Sequence, residues 1–255
     1  MTGPSGLPTH LRLLGPLGAG GAATVWRARD TRRGRDVAVK LFEGVADGPS
    51  AADRLEREVR ALGRLHGVEG VVSIHECGLT EGGAAWVATE LAPGGSLGQR
   101  LRSGPLPTDQ IVRIGASLAA TLAQVHSVGV AHGDLTPANV LFDADGQPVL
   151  ADLGLAWLDG EAGGAGCTPA YSPPERLRGS PPSAAADVWS LAATLRAAAP
   201  ADAALPAVLD ACHSERPSQR PSAAQVAAEL AGPLEPRHSR FRRLGGHGWQ
   251  NRGPR

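Results

Sequence analysis

The hydrophobic period of this 255-residue chain changes decisively at one place, Pro93-Gly94-Gly95, and that change limits the fold more than any other feature. Between Leu11 and Phe42 the chain runs in short alternating stretches with glycine punctuation, LRLLGPLG, TVWRAR and RDVAVKLF, which predict an antiparallel meander. VVSIHECG and AAWVATELA predict two further strands. One segment of this half breaks the pattern: Ala51–Leu65 places Leu55, Val59, Leu62 and Leu65 at helical spacing. After the Pro-Gly-Gly break, which reads as a hinge, Ile111, Ile114, Leu118, Leu122 and Val125 share one helical face. Thr108 and Asp109 supply a capping signal before them. Further helices are predicted over Ala184–Ala198, Ala203–Cys212 and Ala223–Ala231, and the turn DADGQ predicts a hairpin between Val140–Phe142 and Val149–Ala151. The expected class is α+β: a β-rich lobe over 11–91 with one helix, a larger helical lobe over 92–231, and a tail over 232–255.

Composition narrows the function classes. The sequence is 42% hydrophobic and 20% charged with no net charge, values of an ordinary globular chain rather than a disordered or coiled-coil one. Its longest uncharged window, Ile114–Ala131, carries Ser, Thr, Gln and His, so no transmembrane segment is expected. The first thirty residues lack a basic-then-apolar export pattern. Cys77, Cys167 and Cys212 are odd in number and show no metal-site spacing, which suits a reducing, cytoplasmic setting.

Of the 25 basic residues only one, Lys40, is lysine, and the only asparagines are Asn139 and Asn251. A chain that writes almost every cation as arginine has kept one compact ammonium, the form that reaches a buried anion as a point charge. The tail from Gly232 holds six arginines against one glutamate, with Phe241 and Trp249 among them. It reads either as solvated chain or as a contact for an anionic surface such as nucleic acid or lipid.

Three stretches carry chemistry. GAGGAA at Gly18–Ala23 sits between strands, where glycine lets backbone N–H groups approach phosphate oxygens, although glycine-rich hairpins are common. VAVK follows, and strand alternation turns Ala38 and Lys40 to the face opposite Val37 and Val39. Glu58, in the predicted helix, is either a partner for Lys40 or part of a solvated face. HGDLTPANVLF at His132–Phe142, then ADLGLA at Ala151–Ala156, supply Asp134, Asn139 and Asp152. A carboxylate with an amide oxygen suits Mg²⁺, which takes its other ligands from water and phosphate, while a second carboxylate can orient a hydroxyl.

In this order the stretches resemble the eukaryotic-type Ser/Thr protein kinases of bacteria, from about Leu11 to Leu230. The resemblance implies a two-lobed kinase fold that binds ATP with Mg²⁺ or Mn²⁺. It implies a phosphate cradle at Gly18, Ala19 and Gly20, and an adenine site lined by Val25, Ala38 and Leu141. Thr89 falls at the gatekeeper position, with backbone from Glu90 and Ala92 meeting adenine. Lys40 paired with Glu58 would hold phosphates, Asn139 and Asp152 would bind metal, and Asp134 would act as the base-like residue. CTPAYSPPE, ADVWSL and RPS match later family elements, with Asp187 as the buried helix aspartate and Glu175 paired with Arg220.

The departures from the family pattern bear on activity. Ala23 replaces the third glycine of the loop. Thr136 stands where such kinases carry a catalytic-loop lysine, and losing one preorganised charge costs about 10²–10³ in rate. Gly133 replaces the arginine that receives an activation-loop phosphate, and Leu155–Cys167 contains no Ser, Thr or Tyr. A helix that helps dock peptides is missing after Ala199. The expected function is weak or specialised Ser/Thr phosphotransfer to an unidentified protein substrate. The alternatives are a pseudokinase serving as nucleotide-binding scaffold or switch and, from the likeness of HGDL to another phosphotransferase loop, a small-molecule kinase.

Overall fold

The computed structural model describes residues 6–20, 23–42, 63–65, 67–153 and 168–232. The helix expected over 51–65 (with Glu58), the segment 154–167 and the tail beyond 232 lie outside the described residues, apart from 63–65. Five strands, β1 (Leu11–Gly20), β2 (Ala23–Asp30), β3 (Arg35–Phe42), β4 (Ile74–Leu79) and β5 (Ala85–Glu90), form an antiparallel sheet in the order β1-β2-β3-β5-β4. The turn from β2 to β3 forms because buried Asp30 accepts the N–H groups of Arg32 and Arg33 at 3.0 and 3.1 Å. Period-two alternation then sorts the side chains. Val37, Val39 and Leu41 join Leu11, Ala28, Trp86 and Ala88 in a core on the outer face. Phe42, Ala23, Ala85 and Val87 pack on the opposite face, which carries Ala38 and Lys40.

The second lobe is helical: α1 (Leu97–Leu101), α2 (Thr108–Ser127), α3 (Pro174–Leu177), α4 (Ala184–Ala198), α5 (Val208–Ala211) and α6 (Ala223–Ala231). Between α2 and α3 lies the hairpin of β6 (Val140–Phe142) and β7 (Pro148–Leu150). Ile111, Ile114, Leu118, Leu122 and Val125 of α2 pack on Leu191 and Leu195 of α4 and on Val226 and Leu230 of α6. Burial of each such side chain stabilises by about 1.5–3 kcal/mol, which makes this the larger core. Gly115 permits the close approach, since a Cβ there would stand 2.7 Å from Leu195 and 2.9 Å from Leu230.

Helices α4 and α6 match their predicted spans because Ser183 and Ser222 cap them, the latter in a capping box with Gln225. Two details differ from the sequence reading. Helix α2 begins at Thr108 with Pro107 at the cap, and no side chain caps it. The helix expected over Ala203–Cys212 is confined to Val208–Ala211, because Pro206 disfavours helical geometry before it. The Pro93-Gly94-Gly95 break is also pinned rather than loose. Gly94 donates to the Phe142 carbonyl and Phe142 donates to Gly95, both at 2.9 Å. Arg100 covers the Phe142 ring from 3.3 Å. Among the described residues no helix is long and apolar enough to cross a membrane.

Candidate active site

Sheet register assembles the nucleotide side. Gly18 lies opposite Val25, Val25 opposite Lys40, and Ala38 opposite Thr89, so all these residues share one face. Ala19 and Gly20 close β1 opposite Thr24 and Ala23. Glu90 ends β5 with its N–H donated to the Ser73 carbonyl at 2.9 Å. Ala92 and Leu141 pack together against Val72, Val149 and Ala151 where the lobes meet. Leu17, which the sequence reading passes over, is 43% exposed beside Gly18; an apolar residue just before the loop was the available signal.

Lys40 reaches across the lobes, its Nζ donating to Asp152 Oδ2 at 3.1 Å. The sequence reading assigns Asp152 to a metal and Glu58 to Lys40; the contact described here is between Lys40 and Asp152. Asp152 has φ of 59°, a left-handed backbone that no other non-glycine among the described residues adopts. Such strain persists only where surrounding structure enforces it, and it collects at functional sites.

The catalytic-loop side is a bonded network. Asp187, buried in α4, accepts the N–H groups of His132 at 2.8 Å and Gly133 at 2.9 Å, while His126 Nε2 lies 2.8 Å from its other face. Thr194 donates to the Leu135 carbonyl at 3.2 Å, tying the loop to the same helix. Asn139 Nδ2 donates to the Asp134 carbonyl at 2.7 Å and to its Oδ2 at 3.2 Å, which leaves the amide oxygen of Asn139 as an acceptor. Asp134 Oδ1 accepts both the N–H and the hydroxyl of Thr168 at 3.1 Å. The sequence reading gives no role to Thr168, Thr194 or His126, because each acts through a contact far along the chain.

Two departures acquire physical content. Gly133 has φ of 84°, and a Cβ there would stand 3.1 Å from Pro182, so its backbone favours glycine. Thr136 is only 5% exposed, and its carbonyl accepts the Asn139 N–H at 3.0 Å. The Glu175–Arg220 pair forms as expected, bidentate at 2.6 and 2.9 Å, with Arg220 also 4.9 Å from the Trp189 ring. Burial alone would raise the Glu175 carboxyl, but hydrogen bonds from Arg220 hold it below its ordinary range.

The donor set bears on a metal. Among the described residues no group of three His, Cys, Asp or Glu side chains makes a self-sufficient metal cage. One carboxylate (Asp152) and one amide oxygen (Asn139) do fit Mg²⁺ that completes its shell with phosphate and water.

The family model for the protein kinase domain matches residues 11–203. The chain belongs to the protein kinase family. This kinase domain is 36% identical over 184 residues to the serine/threonine-protein kinase PknK of Mycobacterium tuberculosis, covering 70% of this chain and 16% of that protein. It is 37% identical over 198 residues to the DNA damage-responsive serine/threonine-protein kinase RqkA of Deinococcus radiodurans, covering 74% and 29%. The kinase domain therefore spans less than a third of the length of either relative. The kinase domain of Mycobacterium tuberculosis PknI superposes with a TM-score of 0.71 at 23% identity, over 90% of this chain and 99% of that one, so the two-lobed fold is shared.

Proposed function

We propose that this kinase domain transfers the γ-phosphate of ATP to Ser or Thr hydroxyls of a protein, slowly because Thr136 leaves the catalytic loop without its cation. The observation that carries this reading is the Lys40–Asp152 contact at 3.1 Å, formed between residues 112 apart by the chain's single lysine. Gly18, Ala19 and Gly20 offer backbone to the phosphates, while Val25, Ala38 and Leu141 enclose adenine between the backbone of Glu90 and Ala92. Lys40 supplies positive charge to the α- and β-phosphates. Asn139 and Asp152 would hold Mg²⁺, which neutralises phosphate charge when bound. Asp134, oriented by Thr168 and Asn139, accepts the hydroxyl hydrogen bond. As the hydroxyl oxygen bonds to the γ-phosphorus, the bond to the β,γ-bridging oxygen breaks, ADP departs and the proton passes to Asp134. Gly133, with no Ser, Thr or Tyr in Leu155–Cys167, supports a domain that phosphorylation of that segment does not switch.

A second reading, a nucleotide-binding pseudokinase, is favoured by the burial of Thr136. The experiment that separates them is transfer from γ-labelled ATP with Mg²⁺ or Mn²⁺, run beside Asp134→Asn. Label on Ser or Thr with the wild type alone supports phosphotransfer. Equal background from both proteins, with nucleotide still bound, selects the pseudokinase.

A further inference from the structure

Strand β1 carries two irregularities, register shifts between Leu13 and Gly15 and between Pro16 and Gly18. Each bulge sets two residues against one on β2, so Leu14 joins Gly15 opposite Arg27, and Leu17 joins Gly18 opposite Val25. Register places both leucines on the Lys40 face of the sheet, away from the outer core that holds Leu11 and Leu13. Leu14 is 57% exposed and Leu17 43%. Beside them on that face, away from the glycine loop, stand Arg12, Arg27 and Arg29. Asp36 bonds Arg27 through Nε at 2.9 Å and Arg29 through Nη1 at 2.9 Å. Arg12 is exposed and meets no carboxylate among the described residues. Three guanidinium groups thus share one carboxylate next to two exposed leucines.

We infer that this strip, Leu14 and Leu17 with Arg12, Arg27 and Arg29, docks an acidic, leucine-bearing segment of a partner protein. The excess of positive charge selects carboxylates, and two exposed aliphatic side chains three residues apart give an apolar counterpart a place to bury. Strand addition is not the mode of contact, because two bulges and Pro16 interrupt the outer hydrogen-bonding edge of β1. Recognition runs through side chains, so affinity requires leucine and arginine together. Docking needs no phosphotransfer, so this inference and the proposed activity fail independently.

The test is fluorescence anisotropy with the full chain and a fluorescein-labelled peptide of glutamate and leucine at helical spacing. Companion peptides replace leucine by serine or glutamate by lysine. The expected result is saturable binding of the first peptide only, weakened about tenfold by Arg12→Glu and about fivefold by Leu14→Ser. Circular dichroism of both variants confirms that they remain folded. The arginine-rich tail is intact in every variant, so equal affinity across wild type and variants would assign binding to the tail and overturn the inference. Binding that falls with Arg12→Glu but ignores both Leu14→Ser and the serine peptide would overturn it too, leaving only an unspecific polyanion surface.

Discussion

Asp134 is fixed by three side-chain hydrogen bonds within a loop that is itself bonded to buried Asp187, whereas Lys40 meets Asp152 through one ionic contact. The latter pair is 18% and 31% exposed, in a range where an ion pair contributes about 0–1 kcal/mol. Folding of the helical lobe therefore builds the hydroxyl-orienting half in advance. The phosphate-holding half rests on a contact that a nucleotide can replace. One half is preorganised, and the other is completed by its ligand.

The largest effect that would test this contrast is on stability. Asp187→Ala strands the N–H groups of His132 and Gly133 and removes the partner of His126, and should cost about 3 kcal/mol or more in urea unfolding. Lys40→Met should cost under about 1 kcal/mol in the same experiment, yet abolish nucleotide-dependent labelling. Similar losses from both variants would break the comparison. Next in size, Thr136→Lys should raise the transfer rate by about 10², because it restores one charge at the transferring phosphoryl group. Steady-state turnover checks this, and an unchanged rate would mean that the loop no longer limits the reaction. Smaller again, Gly133→Ala forces a side chain into a left-handed backbone against Pro182 and should cost about 1–2 kcal/mol, visible as a lowered Tm.

The smallest effect is acid sensitivity. Glu175 has its folded pKa held down, so its contribution is present above the ordinary glutamate range and fades as pH falls through the lowered value. Glu175→Gln should flatten the stability profile below about pH 4.3, at some loss of stability at neutral pH. A variant with the same acid slope as wild type would show that other carboxylates set it.

What the sequence made legible follows the range of the interactions. Alternation in RDVAVKLF and the caps Ser183 and Ser222 act within a few residues, so the Lys40 face and the spans of α4 and α6 could be read directly. The bonds from Thr168 to Asp134 and from His126 to Asp187 join residues 34 and 61 apart, and neither threonine nor histidine announces such a role locally. The shortened α5 has another cause: an alanine-rich run reads as helix until the weight of Pro206 is counted. Gly133 was visible as a missing arginine, but only backbone geometry reveals that the position favours glycine.

The Lys40–Asp152 contact has a chemical consequence of its own. In this sequence Lys40 carries the only side-chain primary amine, so an acylating reagent has one side-chain amine to find, and it lies at the meeting of the two lobes. Acylation there would erase the charge that Asp152 faces, so labelling and loss of nucleotide binding would advance one for one. A count of modified amines becomes a count of assembled sites, read by mass alone.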